Sequence, residues 1–165
     1  MNRPEIERSR TSRGPQKSEP ERIVVFTVII DGERFGLPIN CVRTIFRPNA
    51  ITEVPLAPAR MIGLINLRGH VVTAICMRTA LGLPRRNASD SLMVAVEHDG
   101  EGFALAVDNV GDVAELSEAD RISMPAMISP SRRAMTTAVY RMQNSIIPLL
   151  NIEVLLGAEN QPVAA

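Results

Sequence analysis

Two histidines, His70 and His98, and three carboxylates within one short stretch, Asp108, Asp112 and Glu115, are the side chains here best suited to proton transfer or metal binding. Catalysis would need a histidine beside a nucleophile or carboxylate, and a metal site would need ligands at a recognisable interval. Neither pattern is present. His70 follows Gly69 and His98 precedes Asp99-Gly100, so both are expected at hairpin tips facing water. The carboxylate segment lacks the glycine pivot and bidentate Glu of a calcium loop and reads as a solvated face. Cys41 and Cys76 lie far apart without ligand-like neighbours and read as small core residues. The glycines form neither a phosphate cradle nor a dinucleotide turn. The sequence therefore predicts no catalytic residue, no metal and no cofactor. A small β-barrel hydrolase using Asp108 or Asp112 with His98 is the weakest alternative.

What remains is recognition, and one cation stands out. Arg68 sits at the turn of a mostly apolar hairpin, Gly63–Arg78, in which two strand-like runs flank Asn66-Leu67-Arg68-Gly69. Such a cation must face water or meet a partner, because burying it unpaired costs several kcal/mol. Val42, Ile45 and Val71, from neighbouring strand-like segments, could line a groove beside it. They could equally be ordinary core residues.

The elements that would hold these residues are strands. A β-branched run over Ile23–Ile30 ends at Asp31-Gly32, and Phe35, Leu37 and Ile39 alternate beyond it. A shift of 68 positions superposes Asp31-Gly32-Glu33 on Asp99-Gly100-Glu101, and Phe35, Leu37, Val42 and Ile45 on Phe103, Leu105, Val110 and Val113. A shift of 75 superposes Val71, Ile75, Met77, Leu81 and Gly82 on Ile146, Leu150, Ile152, Leu156 and Gly157. An insertion around Pro125–Arg133 would absorb the difference between the shifts. The pattern predicts an internal duplication: two strand-rich halves, each closing with a short helical piece before Gly82 or Gly157. Halves of that size suggest small closed barrels, each marginal alone and packed against the other.

Bulk composition narrows the function classes. Net charge is zero and aromatics are 3% of residues, which disfavours nucleic-acid binding by phosphate neutralisation or base stacking. The cations are arginines apart from Lys17, a bias that suits carboxylate recognition but that base composition also produces. No apolar run approaches the roughly 20 residues that span a bilayer, and no secretory h-region is present. Residues 1–22 hold six Lys/Arg, four Glu and three Pro with few apolar side chains, and read as a flexible tail.

From Ile23 to Gly157 the chain resembles the CheW-like coupling proteins of bacterial chemotaxis. The matching pieces are Val25-Phe26-Thr27-Val28, Gly36-Leu37-Pro38-Ile39, Val42 with Ile45, Ile51-Thr52-Glu53-Val54-Pro55, the Gly63–Gly69 run, Ala106–Val110, and Asn151-Ile152-Glu153 with Leu155-Leu156. The resemblance implies a mainly β fold: two SH3-like five-stranded β-barrel subdomains in tandem, with short helices. The domain would span 23–158, with a first barrel at about 23–84, a second at about 90–150, a helical piece at 151–157 and a tail at 159–165. It implies a non-enzymatic scaffold coupling the cytoplasmic tips of methyl-accepting chemoreceptors to the CheW-like regulatory domain of a chemotaxis histidine kinase. Such a protein is cytoplasmic, sits with receptor arrays at the inner face of the membrane, does not insert into it, and takes no small-molecule substrate. Val42, Ile45, Arg68 and Val71 match the family's receptor groove, and Thr44 stands there where many members carry glutamate. Residues contacting the kinase are unassigned, with exposed strands of the second half as first candidates. Thr73 and Cys76 replace the proline and aspartate of the usual P-V-I-D-L-R, so a regulator of a non-flagellar pathway, surface motility or biofilm control, is an alternative.

Overall fold

The computed structural model describes residues 18–157. In chain order the strands and helices are β1 (Arg22–Ile30), β2 (Glu33–Pro38), β3 (Val42–Phe46), β4 (Met61–Leu67), β5 (His70–Cys76), α1 (Met77–Ala80), β6 (Leu92–His98), β7 (Glu101–Val107), β8 (Asn109–Ser117), β9 (Arg121–Ile122), α2 (Pro130–Ala134), β10 (Thr136–Met142), β11 (Ser145–Leu150) and α3 (Ile152–Leu155). The tail expected over 1–22 lies mostly outside the described residues, and Arg22 already belongs to β1; the expected tail at 159–165 lies wholly outside them.

Two-residue turns set four hairpins, and three of these turns share one geometry. Asp31-Gly32, Arg68-Gly69 and Asp99-Gly100 all have positive φ at both positions, 54° and 76°, 51° and 83°, and 51° and 79°. This is the primed turn whose twist matches that of the flanking strands. β1 reads as an unbroken apolar run because it is buried on both faces. Val25 enters one core with Leu116, Tyr140 and Ile147, while Phe26, Val28 and Ile30 enter another with Ile75, Leu105 and Leu155.

The strands form two sheets, ordered β8-β1-β2-β11-β10-β9 and β3-β6-β7-β5-β4. The duplication carries β1, β2, β3, β4, β5 and α1 onto β6, β7, β8, β10, β11 and α3. Under that mapping the five-stranded order becomes the first five strands of the other sheet. The parallel pairs β2·β11 and β7·β5 correspond, and the register breaks of β8 on β1 and of β3 on β6 fall at equivalent places. The repeat seen in the apolar pattern is thus a repeat of topology.

The tandem division does not hold at the level of hydrogen bonding. Each half contributes its leading hairpin to the other half's sheet: β1–β2 pair with β8 and β11, and β6–β7 pair with β3 and β5. The boundary expected between 84 and 90 therefore cuts through both sheets. The two hairpins have the same apolar alternation, so local pattern could not tell which set of strands each would join. Exchange stitches the halves together by backbone hydrogen bonds and by a shared core, in which Phe35 and Leu37 meet Phe103 and Leu105. Each sheet keeps its own smaller cluster on its far face.

A buried ion pair closes one end of this shared core and corrects the reading of Asp108 as solvated. Arg78 on α1 donates from Nε to Asp108 Oδ1 at 2.8 Å and from Nη2 to Oδ2 at 2.7 Å. Nη2 also reaches Asp31 Oδ1 at 3.4 Å, and the Asp31 amide donates to Asp108 Oδ2 at 2.7 Å. The clasp joins α1, the end of β7 and the β1–β2 turn. Asp112 and Glu115 are exposed, as expected.

The two short helices differ at their starts. Asn151 caps α3, its Oδ1 accepting from the Val154 amide at 3.3 Å, whereas Cys76 at the start of α1 makes no side-chain cap.

Candidate docking cleft

The turn that makes the Gly63–Arg78 hairpin also fixes its arginine. Asn66 Oδ1 accepts from the Gly69 amide at 2.9 Å, and Arg68 is held at φ 51°, a conformation costing a non-glycine residue about 1 kcal/mol. Gly63 is required lower in the same hairpin: a Cβ there would stand 2.3 Å from the Thr52 carbonyl oxygen, in the bridge Thr52 makes with Leu64. The hairpin tip thus projects Arg68 into solvent, with Val71 66% exposed beside it.

Arg68 and Val71 border an open cleft of about 950 Å³ over β4, β5, β6 and β7. Its floor includes Leu64, Leu67, Thr73 and Phe103, and its charged rim adds Arg43, Glu97 and Glu101. An apolar floor with both signs of charge at the rim suits a protein segment better than a nucleic acid.

The other expected groove residues sit across the sheet. Strand order places β3 three strand spacings from β5, about 14 Å away. Val42, half-buried, packs against the shared core, Thr44 is half-buried opposite Ala95, and Ile45 is 41% exposed. None of the three lines the cleft; their neighbour Arg43 does, because the register break between Val42 and Thr44 falls at its position. Arg43 Nε donates to Glu97 Oε2 at 3.3 Å, and its Nη1 donates to the Asn40 carbonyl at 3.1 Å. Arg43, Glu97, Thr73 and Phe103 escaped the sequence reading. Their only signal was the pairing of β3, β5, β6 and β7, which crosses the two halves.

The duplicated counterpart of this cleft is about half as roomy. Its walls, Glu33, Phe35, Ile146 and Pro148, are the repeats of Glu101, Phe103, Val71 and Thr73. The insertion expected around Pro125–Arg133 is present as a turn followed by α2, and it places Ile128 and Arg132 against these walls, leaving about 450 Å³. Arg132 Nη1 donates to Glu33 Oε2, pinning α2 to the β1–β2 hairpin. Extra chain in one repeat therefore makes the two clefts unequal, and the roomier one bears Arg68.

His70 is exposed as expected, while His98 is half-buried with Nε2 3.4 Å from Asp99 Oδ2. Both cysteines are buried; Cys41 Sγ donates to the Pro38 carbonyl at 3.0 Å, and burial pushes its thiol above the ordinary value. Among the described residues no group of three or more His, Cys, Asp or Glu could hold a metal ion. No helix among them is long and apolar enough to cross a membrane.

The model of the CheW-like domain family matches residues 24–160. The chain belongs to the CheW-like domain family. It is 24% identical over 147 residues to the chemotaxis protein CheW of Helicobacter pylori, covering 88% of each chain. It is 23% identical over 145 residues to the chemotaxis protein CheW of Bacillus subtilis, covering 87% of this chain and 92% of that one. Among solved structures it resembles the scaffolding protein TtCheW of Thermoanaerobacter tengcongensis, with TM-score 0.73, 23% identity, and coverage of 87% and 98% of the two chains. The mainly β, two-subdomain SH3-like architecture that the resemblance implied agrees with the two sheets described above and with this structural neighbour.

Proposed function

We propose that the protein is a non-enzymatic chemotaxis adaptor that binds the cytoplasmic tip of a methyl-accepting chemoreceptor and the CheW-like regulatory domain of a histidine kinase, on the cytoplasmic side of the membrane. The observation that carries this reading is the open cleft beside Arg68 and Val71, in a chain whose curated relatives are chemotaxis proteins. Its mechanism is binding energy alone. Holding receptor and kinase together raises their effective concentration, and any preference of the receptor's signalling state for one kinase state then biases the kinase. Arg68, Val71 and, across the sheet, Val42, Thr44 and Ile45 form the receptor surface. The kinase surface is drawn from exposed strands, with Val113 and Ile146 of the second half as its first candidates.

Thr44 and Cys76 support a second reading of the partner set, in which the same scaffold serves a non-flagellar pathway. Co-sedimentation decides whether a receptor is bound at all. The protein is expected to sediment with receptor-containing membranes without kinase, and to carry kinase down when it is added. Sedimentation only when kinase is present would replace the adaptor with a freestanding kinase regulator. No sedimentation in either case would overturn both.

A further inference from the structure

The smaller of the two repeated clefts holds a segment of the chain itself, and so displays the chemistry that a cleft of this build accepts. The repeat shifts relate its Gly32, Glu33 and Phe35 to Gly100, Glu101 and Phe103 of the larger cleft, and its Ile146 to Val71. Three of these four residues are identical in the two copies and the fourth stays aliphatic. Across the smaller cleft lies the inserted segment, with Ile128 on its apolar wall and Arg132 donating through Nη1 to Glu33 Oε2. The larger cleft keeps the glutamate and the apolar wall without the segment that engages them. Arg34, a second cation lining the smaller cleft, is matched by Gly102 in the larger one. Arg43 on the larger rim is already paired with Glu97, and among the described residues neither Glu101 nor Arg68 forms an ion pair.

We infer that the receptor segment seated in the larger cleft presents a basic side chain to Glu101, in the place that Arg132 holds against Glu33. Taking the occupant to be a chemoreceptor tip rests on the adaptor reading; the charge required opposite Glu101 is what the repeat adds to it. An ion pair at an open rim contributes little affinity, whereas a like charge in the same place repels. Glu101 therefore acts chiefly by discrimination, accepting a tip with a basic residue at that point and rejecting one with an acidic residue.

The test is a co-sedimentation titration of the full chain with receptor-containing membranes in the absence of kinase. Glu101→Gln should weaken binding about threefold and Glu101→Arg about tenfold or more. Urea unfolding should be unchanged in both, because Glu101 is exposed beside the Asp99-Gly100 turn. Arginines and lysines of the receptor tip are then changed to glutamate one at a time. One such receptor variant should bind the wild-type chain weakly and Glu101→Arg at close to the original strength, a compensation that a merely structural role for Glu101 would not produce. Wild-type binding by Glu101→Arg, or failure of every receptor variant to restore it, would overturn the inference and leave the adaptor reading standing. Restoration by Arg68→Glu in the same chain would also overturn it, since the pair would then be internal. Absence of binding by the wild-type chain would overturn the adaptor reading and the inference with it.

Discussion

Asp108→Ala should destabilise the protein by about 3 kcal/mol in urea unfolding at pH 7, the largest stability effect expected from any single charged residue here. The reason is what it leaves behind: Arg78, with 8% of its side chain exposed, would lose both oxygens that receive Nε and Nη2. The Asp31 amide would lose its acceptor as well. The solvent-facing pairs Arg22–Glu115 and Arg121–Glu118 should be worth 1 kcal/mol or less on the same assay.

The clasp also has a pH signature. Hydrogen bonds from Arg78 are the main cause holding the Asp108 carboxyl below the ordinary aspartate value, against the opposing effect of burial. A carboxyl whose folded value is depressed binds its proton more readily in the unfolded chain. Its stabilisation is therefore complete above the unfolded value, about pH 4, and is lost as pH falls through the lower folded value. Wild-type stability should decline below about pH 4, and Asp108→Asn should flatten that part of the decline. An equal acid slope in the variant would show that other carboxylates carry the dependence.

Arg68→Glu should reduce receptor-dependent kinase activation about tenfold or more in a reconstituted mixture of receptor, kinase and adaptor, while the protein stays folded. Folding is spared because Arg68 lies exposed at a hairpin tip and outside the buried cores. Arg68→Asn separates stability from binding. Asparagine tolerates positive φ and suits the first position of this turn, so the variant should gain about 0.5–1 kcal/mol in unfolding while coupling falls. Unchanged activation in Arg68→Glu would remove Arg68 from the receptor surface. Loss of activation accompanied by unfolding would assign it to the hairpin instead.

Much of the architecture was visible in local patterns, and the reason is specific. Asp31-Gly32 and Asp99-Gly100 each favour a primed turn, and the apolar alternation around them fixes which side chains share a face. Gly82 and Gly157 marked the ends of the short helical pieces. Repeated spacing then exposed the duplication, because two copies of one topology must repeat their turns and inward positions. The same regularity concealed the exchange of hairpins, since equivalent hairpins offer equivalent edges to either set of strands.

The candidate site divides along the same line. Arg68 and Val71 belong to one hairpin, so residue type and turn geometry were enough to bring them together at its tip. Arg43, Glu97 and Phe103 joined them only through the β3·β6 and β5·β7 pairings, whose partners are far apart in the chain. Asp108 found Arg78 in the same long-range way. Turns, strand faces and helix stops are short-range consequences of backbone sterics and apolar spacing, so the chain specified them locally. Which sheet each hairpin entered, which cleft stayed open and which charges met followed from burying both halves against one shared core, a free energy that depends on the whole assembled molecule.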